Sequence, residues 1–290
     1  METIGIIGLG SAGQRHARNM LAMGCEVLGY DPVPKPEIIL KPGQQFTICD
    51  SVKAVLDRNP LGVIVATPPE THRLIVMACV NTHIPMLVEK PLDVDAEGAR
   101  LLGAAHVMTR VPLAVGYQLR HVASLKQLKT QVDAGKFGTI YAAHAEFASQ
   151  RWCSGTYKAD LLLECSHELD LLRWFLGAPD RIVALGFTGG ASWDALLLCG
   201  PQGIRTMLHI DSVLPSYRRR LTLYGTKGQG EWVFNQTEND QAYVDELKDF
   251  LAVCRGEKVQ PECTGEDGWW VLRAVEAIRR SGNSGKWEAV

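Results

Sequence analysis

The glycines Gly8, Gly10 and Gly13 constrain this 290-residue chain more than any other feature. Before them, Ile4, Ile6 and Ile7 read as a short buried strand. After them, Ala17, Met20 and Leu21 fall at helical spacing. In such a strand–turn–helix unit each glycine has its own task. Gly8 makes the tight bend, Gly10 lets the backbone approach a pyrophosphate, and Gly13 lets helix and strand pack closely. The helix would aim its free N–H groups and positive dipole end at the phosphates, with Leu9, Ser11 and Ala12 completing the loop. Gly24 ends that helix, and Cys25 to Tyr30 reads as a second strand. It finishes in Asp31, about twenty residues past the glycines, where an acid bonds the adenosine ribose hydroxyls. A carboxylate there repels the extra phosphate of NADP. NAD is the expected cofactor and NADP the disfavoured one.

The rest of the first half repeats the alternation. Residues 46–49 form a short strand after a proline-rich loop (Pro32, Pro34, Pro36, Pro42), and Ser51 caps a helix through Val55 and Leu56. Gly62 to Thr67 is a buried strand ending at Pro68-Pro69, with Thr71 placed to cap the helix beyond. Met86 to Val88 is another strand, ending at Glu89-Lys90-Pro91. Asp93 or Asp95 starts a helix through Ala99 and Leu102, and residues 112–116 close the series. Strands alternating with helices predict a doubly wound parallel sheet of the Rossmann type, whose ligands bind off the carboxyl ends of its strands. Four tips share that edge: the glycine loop, Asp31, the segment Ala66-Thr67-Pro68 with His72 just beyond, and Glu89-Lys90. These residues make up the expected cofactor site.

The second half reads differently. Leu119 to Val132 is a helix closed by Gly135, and Thr139 to Phe147 is a long strand. Residues 150–158 are irregular and aromatic; Trp152 and Tyr157 suit a sugar's ring face and hydroxyls, or a packed surface loop. Leu161 through Leu176 is an apolar helix stopped by Gly177, carrying His167 and Asp170 on one face with Glu164 a turn earlier. Strands near 181–187, 193–199, 204–213, 218–224 and 230–234, joined by glycine turns, predict a mainly antiparallel sheet. Arg218, Arg219 and Arg220, opening one of them, read as a solvated edge rather than a phosphate patch. Helices near 239–255 and 265–281 finish the chain. The expected organisation is α/β: an NAD-binding domain over 1–117 and an α+β domain over 118–290 for substrate binding and oligomerisation.

Composition narrows the setting. A net charge of −2 gives no pull toward nucleic acid or an anionic membrane. No apolar run approaches a membrane span, and the chain opens directly in a strand, without room for a signal peptide. Eight cysteines without a C-x-x-C pair form neither a disulfide scaffold nor a zinc site. The expected compartment is the reducing cytoplasm, and no metal is expected.

Several stretches together resemble the Gfo/Idh/MocA family of NAD(P)-dependent oxidoreductases. They are GIIGLGSAGQRHARNM at the start, ATPPETH at 66–72, VEKPL at 88–92, GYQLRH at 116–121 and LECSHELDLLRWFLG at 163–177. RRLTLYGTKGQGEW at 219–232 and EDGWWVLRAVEAIRRSG at 266–282 extend the resemblance over nearly the whole chain. It implies hydride transfer between nicotinamide and a carbon of a sugar, cyclitol or nucleotide sugar. Lys90 would lie at the reacting hydroxyl, and Thr67, Pro68 and Glu89 would surround the nicotinamide and its ribose. His167 would serve as a general acid/base opposite Lys90, and Gln118, Arg120, Trp152, Tyr157 and Asp170 would meet the substrate. A homodimer or homotetramer through the second sheet is implied as well. One departure stands out. The family commonly has Asp four residues before that histidine, where this chain has Leu163; Glu164 is the nearest acid. An enzyme that retains NAD and uses oxidation transiently, such as a hydrolase or epimerase, and a non-catalytic NAD-binding regulator are the alternatives.

Overall fold

A computed structural model describes residues 1–33, 38–150, 160–187 and 191–290. The chain forms two compact units, Met1–Tyr117 with Tyr243–Trp269, and Gln118–Ala242 with Trp270–Val290.

The first unit is the alternating one. In order it contains β1 (Thr3–Ile7), α1 (Ser11–Ala22), β2 (Glu26–Tyr30), β3 (Phe46–Ile48), α2 (Val52–Leu56) and β4 (Gly62–Val65). Then follow α3 (His72–Asn81), β5 (Met86–Glu89), α4 (Ala96–Thr109) and β6 (Leu113–Gly116). All pairings are parallel, in the order β3-β2-β1-β4-β5-β6. The order reverses between β1 and β4, and such a switch point opens a crevice at the carboxyl ends of the strands. The central strands are buried on both faces and therefore read as unbroken apolar runs rather than alternating ones.

Local capping follows the sequence in part. Ser51 accepts from the Ala54 N–H at 3.0 Å. Of the two candidates at α4, Asp95 is the cap, accepting from Gly98 N–H at 2.6 Å. Asp93 is instead buried against the Arg73 guanidinium. Thr71 does not cap α3. Pro69 starts a 3₁₀ turn that already holds Thr71 in helical geometry, so its hydroxyl bonds Thr67 Oγ1 and the Pro68 carbonyl.

The second unit begins with a 3₁₀ turn over Gln118–His121, not with helix; α5 (Ala123–Asp133) starts only after the extended Val122. Next come β7 (Ile140–Ala148), α6 (Leu161–Glu164), α7 (Ser166–Leu176), β8 (Pro179–Phe187), β9 (Ser192–Cys199), β10 (Ile204–Asp211), β11 (Arg218–Gly225) and β12 (Gly228–Val233). The chain ends with α8 (Gln236–Cys254), α9 (Gly265–Ser284) and β13 (Glu288–Ala289). The sheet order is β12-β11-β7-β10-β9-β8-β13, antiparallel except where β10 runs parallel to β7.

Two expectations are corrected here. The helix over 161–176 is two helices, broken at Cys165, whose backbone leaves helical geometry without a glycine or proline to mark it. Of the three arginines of β11, an interior strand, Arg218 and Arg220 are exposed as expected, but Arg219 is not solvated. Arg219 is buried, with its Nε 2.6 Å from Glu168 Oε1 and its guanidinium over the Phe147 ring; Arg220 pairs with Glu146 at 2.5 Å. No helix of the described residues is long and apolar enough to cross a membrane.

Candidate active site

In the first unit, the glycine loop has the geometry its residue types dictate. Gly8 sits at φ +91, and a Cβ there would come within 2.5 Å of the Ala66 carbonyl oxygen. A Cβ on Gly13 would lie 1.8 Å from the Gly8 carbonyl oxygen. These two glycines are therefore fixed by close backbone approach. Gly10 is different: nothing lies within 4 Å of where its Cβ would be. It is also the N-cap of the twelve-residue α1 and offers no side-chain cap to the free N–H groups there. Open space beside a helix N-terminus fits a pyrophosphate.

Asp31 stands at the tip of β2, as expected. Its carboxylate accepts from the N–H groups of Leu9 at 2.8 Å and Val33 at 2.9 Å, so it ties the glycine loop to the strand end. Ser11 is exposed and Ala12 half-buried along the first turn of α1.

The other tips are braced from behind. His72, placed among the cofactor residues by sequence, is fully buried. Its Nε2 lies 2.9 Å from the Thr67 carbonyl oxygen and its Nδ1 3.1 Å from that of Leu92. It thus joins the Ala66-Thr67-Pro68 loop to the segment after Pro91 instead of presenting its ring to a ligand. Burial holds its pKa below the usual histidine range, outweighing the carbonyls and the nearby carboxylates of Glu89 and Asp93. Glu89 Oε1 lies 2.7 Å from Nε2 of the buried His16 on α1, and Glu89 Oε2 accepts from the Lys90 N–H at 3.2 Å. Burial pushes the Glu89 carboxyl up, but His16 and Lys90 outweigh it and hold its pKa below the usual value. Gly116 leaves the room: a Cβ there would press on Glu89 Oε2 at 3.1 Å. Lys90 itself is half-buried at the strand end, before a cis bond to Pro91.

In the second unit, α7 carries His167, Glu168 and Asp170, all buried. Arg120 and Asp170, placed at the substrate by sequence, are bonded to each other. Arg120 Nε and Nη2 reach Asp170 Oδ2 and Oδ1 at 2.9 and 2.6 Å, with side chains 5% and 1% exposed, and the guanidinium lies over the Trp174 ring. A buried fork of this kind fixes α7 to the Gln118–His121 turn. Gln118 is buried and donates to Asn239 at 3.3 Å. Glu164 ends α6, across the Cys165 break from His167, so the two do not share one helix face. Trp152 and Tyr157 lie outside the described residues. Among the described residues no group of three or more metal-binding side chains occurs.

Sequence reasoning missed His16 and Glu246. Both sit on the apolar stripe of their helix, His16 four residues before Met20 and Glu246 between Tyr243 and Phe250. A polar residue in such a stripe was the available signal.

Comparison with known proteins agrees with this geometry. Two family models match: one described as an oxidoreductase family with an NAD-binding Rossmann fold, over residues 3–117, and the GFO/IDH/MocA C-terminal domain, over residues 125–231. The chain is 26% identical to the rhizopine catabolism protein MocA of Rhizobium meliloti, over 87% of this chain and 86% of that protein. It is 30% identical to inositol 2-dehydrogenase of Burkholderia cenocepacia, over 60% of this chain and 54% of that protein, so the match spans about half that relative's length. Its fold is that of scyllo-inositol dehydrogenase from Lactobacillus casei, solved with NAD(H) and scyllo-inositol. The TM-score is 0.86 at 20% identity, covering 100% of this chain and 99% of that one. A myo-inositol dehydrogenase from Corynebacterium glutamicum superposes with a TM-score of 0.88 at 20% identity, with 100% and 99% coverage.

Proposed function

We propose that this chain, which belongs to the Gfo/Idh/MocA family of NAD-binding oxidoreductases, moves a hydride between nicotinamide and a secondary hydroxyl carbon of a cyclitol, sugar or nucleotide sugar. The observation that carries the reading is the β5 tip, where His16 and the Lys90 N–H hold an ionised Glu89 beside Lys90 on the edge that also bears the glycine loop. The inositol dehydrogenases among its relatives favour a cyclitol.

The residues fit NAD. The α1 N-terminus and the Gly8–Gly13 loop would hold the pyrophosphate, Asp31 the adenosine ribose, and Thr67, Pro68 and Glu89 the nicotinamide end. When bound, NAD supplies the hydride acceptor. In the oxidative direction Lys90 takes the hydroxyl proton, with His167 as the second acid/base. Pro91 biases Lys90 away from helical geometry and keeps its amine at the strand end. Glu164 replaces the acid missing at position 163 only if it bends across the Cys165 break. That departure favours, as a second reading, a relative that retains its cofactor or binds it without turnover.

The experiment is NAD reduction by the purified protein with a panel of inositols, free sugars and nucleotide sugars, repeated with NADP. Steady NADH release with one substrate class, and preference for NAD over NADP, is the expected result. Cofactor that cycles without release would support the second reading. Failure to bind either cofactor would end both.

Assembly through the second sheet belongs to the same proposal. On the face bearing Glu146, the cross-strand row Leu185, Asp194, His209, Glu146, Arg220, Val233 ends in exposed apolar residues at both sides, and Met207 lies exposed in the next row. Light scattering should give two or four times 31.9 kDa; a single-chain mass at micromolar concentration would remove this face as an interface.

A further inference from the structure

Behind the β5 tip, in the first unit, Nδ1 of the buried His16 ring and the carboxyl of Glu246 have no hydrogen-bond partner among the described residues. Both adjoin Glu89. The His16 ring bonds it at 2.7 Å, and Glu246 feels its charge. The two needs are complementary. The Glu89 carboxylate accepts from His16 Nε2–H, and in that tautomer Nδ1 is an acceptor lacking a donor. Glu246 is 3% exposed and faces the carboxylates of Glu89 and Asp249. Burial, reinforced by those two charges, pushes its pKa well above the usual carboxyl range. A carboxyl that keeps its proton is a donor lacking an acceptor.

Helix geometry brings the two together. Tyr243 meets the His16 ring edge-on, with centroids 6.3 Å apart. Glu246 is three residues further along α8 and shares that face, and helical side chains lean toward the N-terminus, here toward Tyr243 and His16. The other charged groups of this neighbourhood are accounted for. Arg15 lies over the Tyr243 ring at 4.3 Å, Asp249 is held by Lys258 and the Glu262 N–H, and the Lys90 N–H bonds the Glu89 oxygen that His16 does not.

We infer that Glu246 is a neutral carboxylic acid that donates, directly or across one water, to Nδ1 of His16, completing a buried line Glu246–His16–Glu89 that orients the Glu89 carboxylate. Glu246 is a positioning residue: it acts on the cofactor edge only through His16 and Glu89. That last consequence rests on the oxidoreductase reading; the protonation and tautomer do not, and they are testable in the protein without cofactor.

Proton linkage sets one expected result. The folded state keeps a proton on Glu246 that the unfolded chain releases above its ordinary carboxyl pKa of 4.5. Stability from this site is therefore whole below that pH and falls as pH rises toward the folded pKa. Glu246→Gln keeps a donor and cannot titrate, so its Tm should gain on wild type by about 3–5 °C per pH unit through that window. In nitrogen-15 spectra of labelled histidine at pH 7, His16 should be the Nε2–H tautomer with a hydrogen-bonded Nδ1. Glu246→Leu should shift that Nδ1 to its unbonded position, and Glu246→Gln should restore it. Weaker NADH binding in the Leu variant, recovered in the Gln variant, would complete the line to the cofactor edge. A Glu246 carboxyl found ionised at pH 7 by carbon-13 spectra of wild type would overturn the inference even if the Leu variant did not fold. So would a Tm difference that is flat with pH, or an Nδ1 signal indifferent to both substitutions.

Discussion

Lys90→Ala is expected to lower turnover by about 10²–10⁴-fold, the range over which a positioned acid or base acts, with NADH affinity little changed. The separation of the two effects follows from how the β5 tip is built. Glu89 is held by the His16 ring and by the main-chain N–H of residue 90, and neither contact involves the Lys90 side chain. Removing the amine therefore leaves the carboxylate and the strand end in place while deleting the group that exchanges the hydroxyl proton. Lys90→Met, which keeps the apolar stem, should fall by a similar factor. Stopped-flow NADH binding beside steady-state rates would distinguish the outcomes. Wild-type turnover in both variants would remove Lys90 from the chemistry, and a parallel collapse of NADH binding would make it a structural residue instead.

What the sequence discloses about this molecule is what short stretches determine by themselves. The turn from β1 to α1 was legible because Gly8 and Gly13 have backbone reasons to be glycine that lie within a few residues or on the neighbouring strand. Asp31 was legible because strand β2 has a fixed length between the helix end and the acid. The strands of the second unit were legible from period and glycine turns, but their order was not. β7 enters the sheet between β10 and β11, parallel to one and antiparallel to the other, and nothing in residues 140–148 declares those partners.

The same distance problem explains the misread side chains. Arg219 looks like one of three solvated arginines until Glu168, 51 residues earlier, is placed beneath it. Glu246 looks like any charge on a helix until α8 is packed on the β1 sheet, where Leu247, Phe250 and Leu251 join the core formed by Ile4, Ile6 and Ile64. A charge is read as solvated by default because most are. The exceptions are made by partners remote in sequence, and they cluster here on α7 and at the β5 tip, where the candidate catalytic residues stand.

Arg120→Ala should strongly lower the stability of the second unit. It takes its bidentate partner from the Asp170 carboxylate, which is 1% exposed. Breaking a buried pair from one side typically costs about 3–5 kcal/mol because a desolvated charge is left behind. Replacing both members by apolar residues, as in Arg120→Met with Asp170→Leu, should recover much of that loss, since the pair's attraction little more than offsets its own desolvation. Urea unfolding of the two single variants and the double variant measures this directly. The double variant should nonetheless lose turnover, because Asp170 lies one helical turn from His167 and the fork sets where α7 begins its run past the Gln118–His121 turn. The opposite pattern, with unchanged urea midpoints and only KM raised in Arg120→Ala, would return Arg120 to the substrate-contact role that its sequence motif suggests.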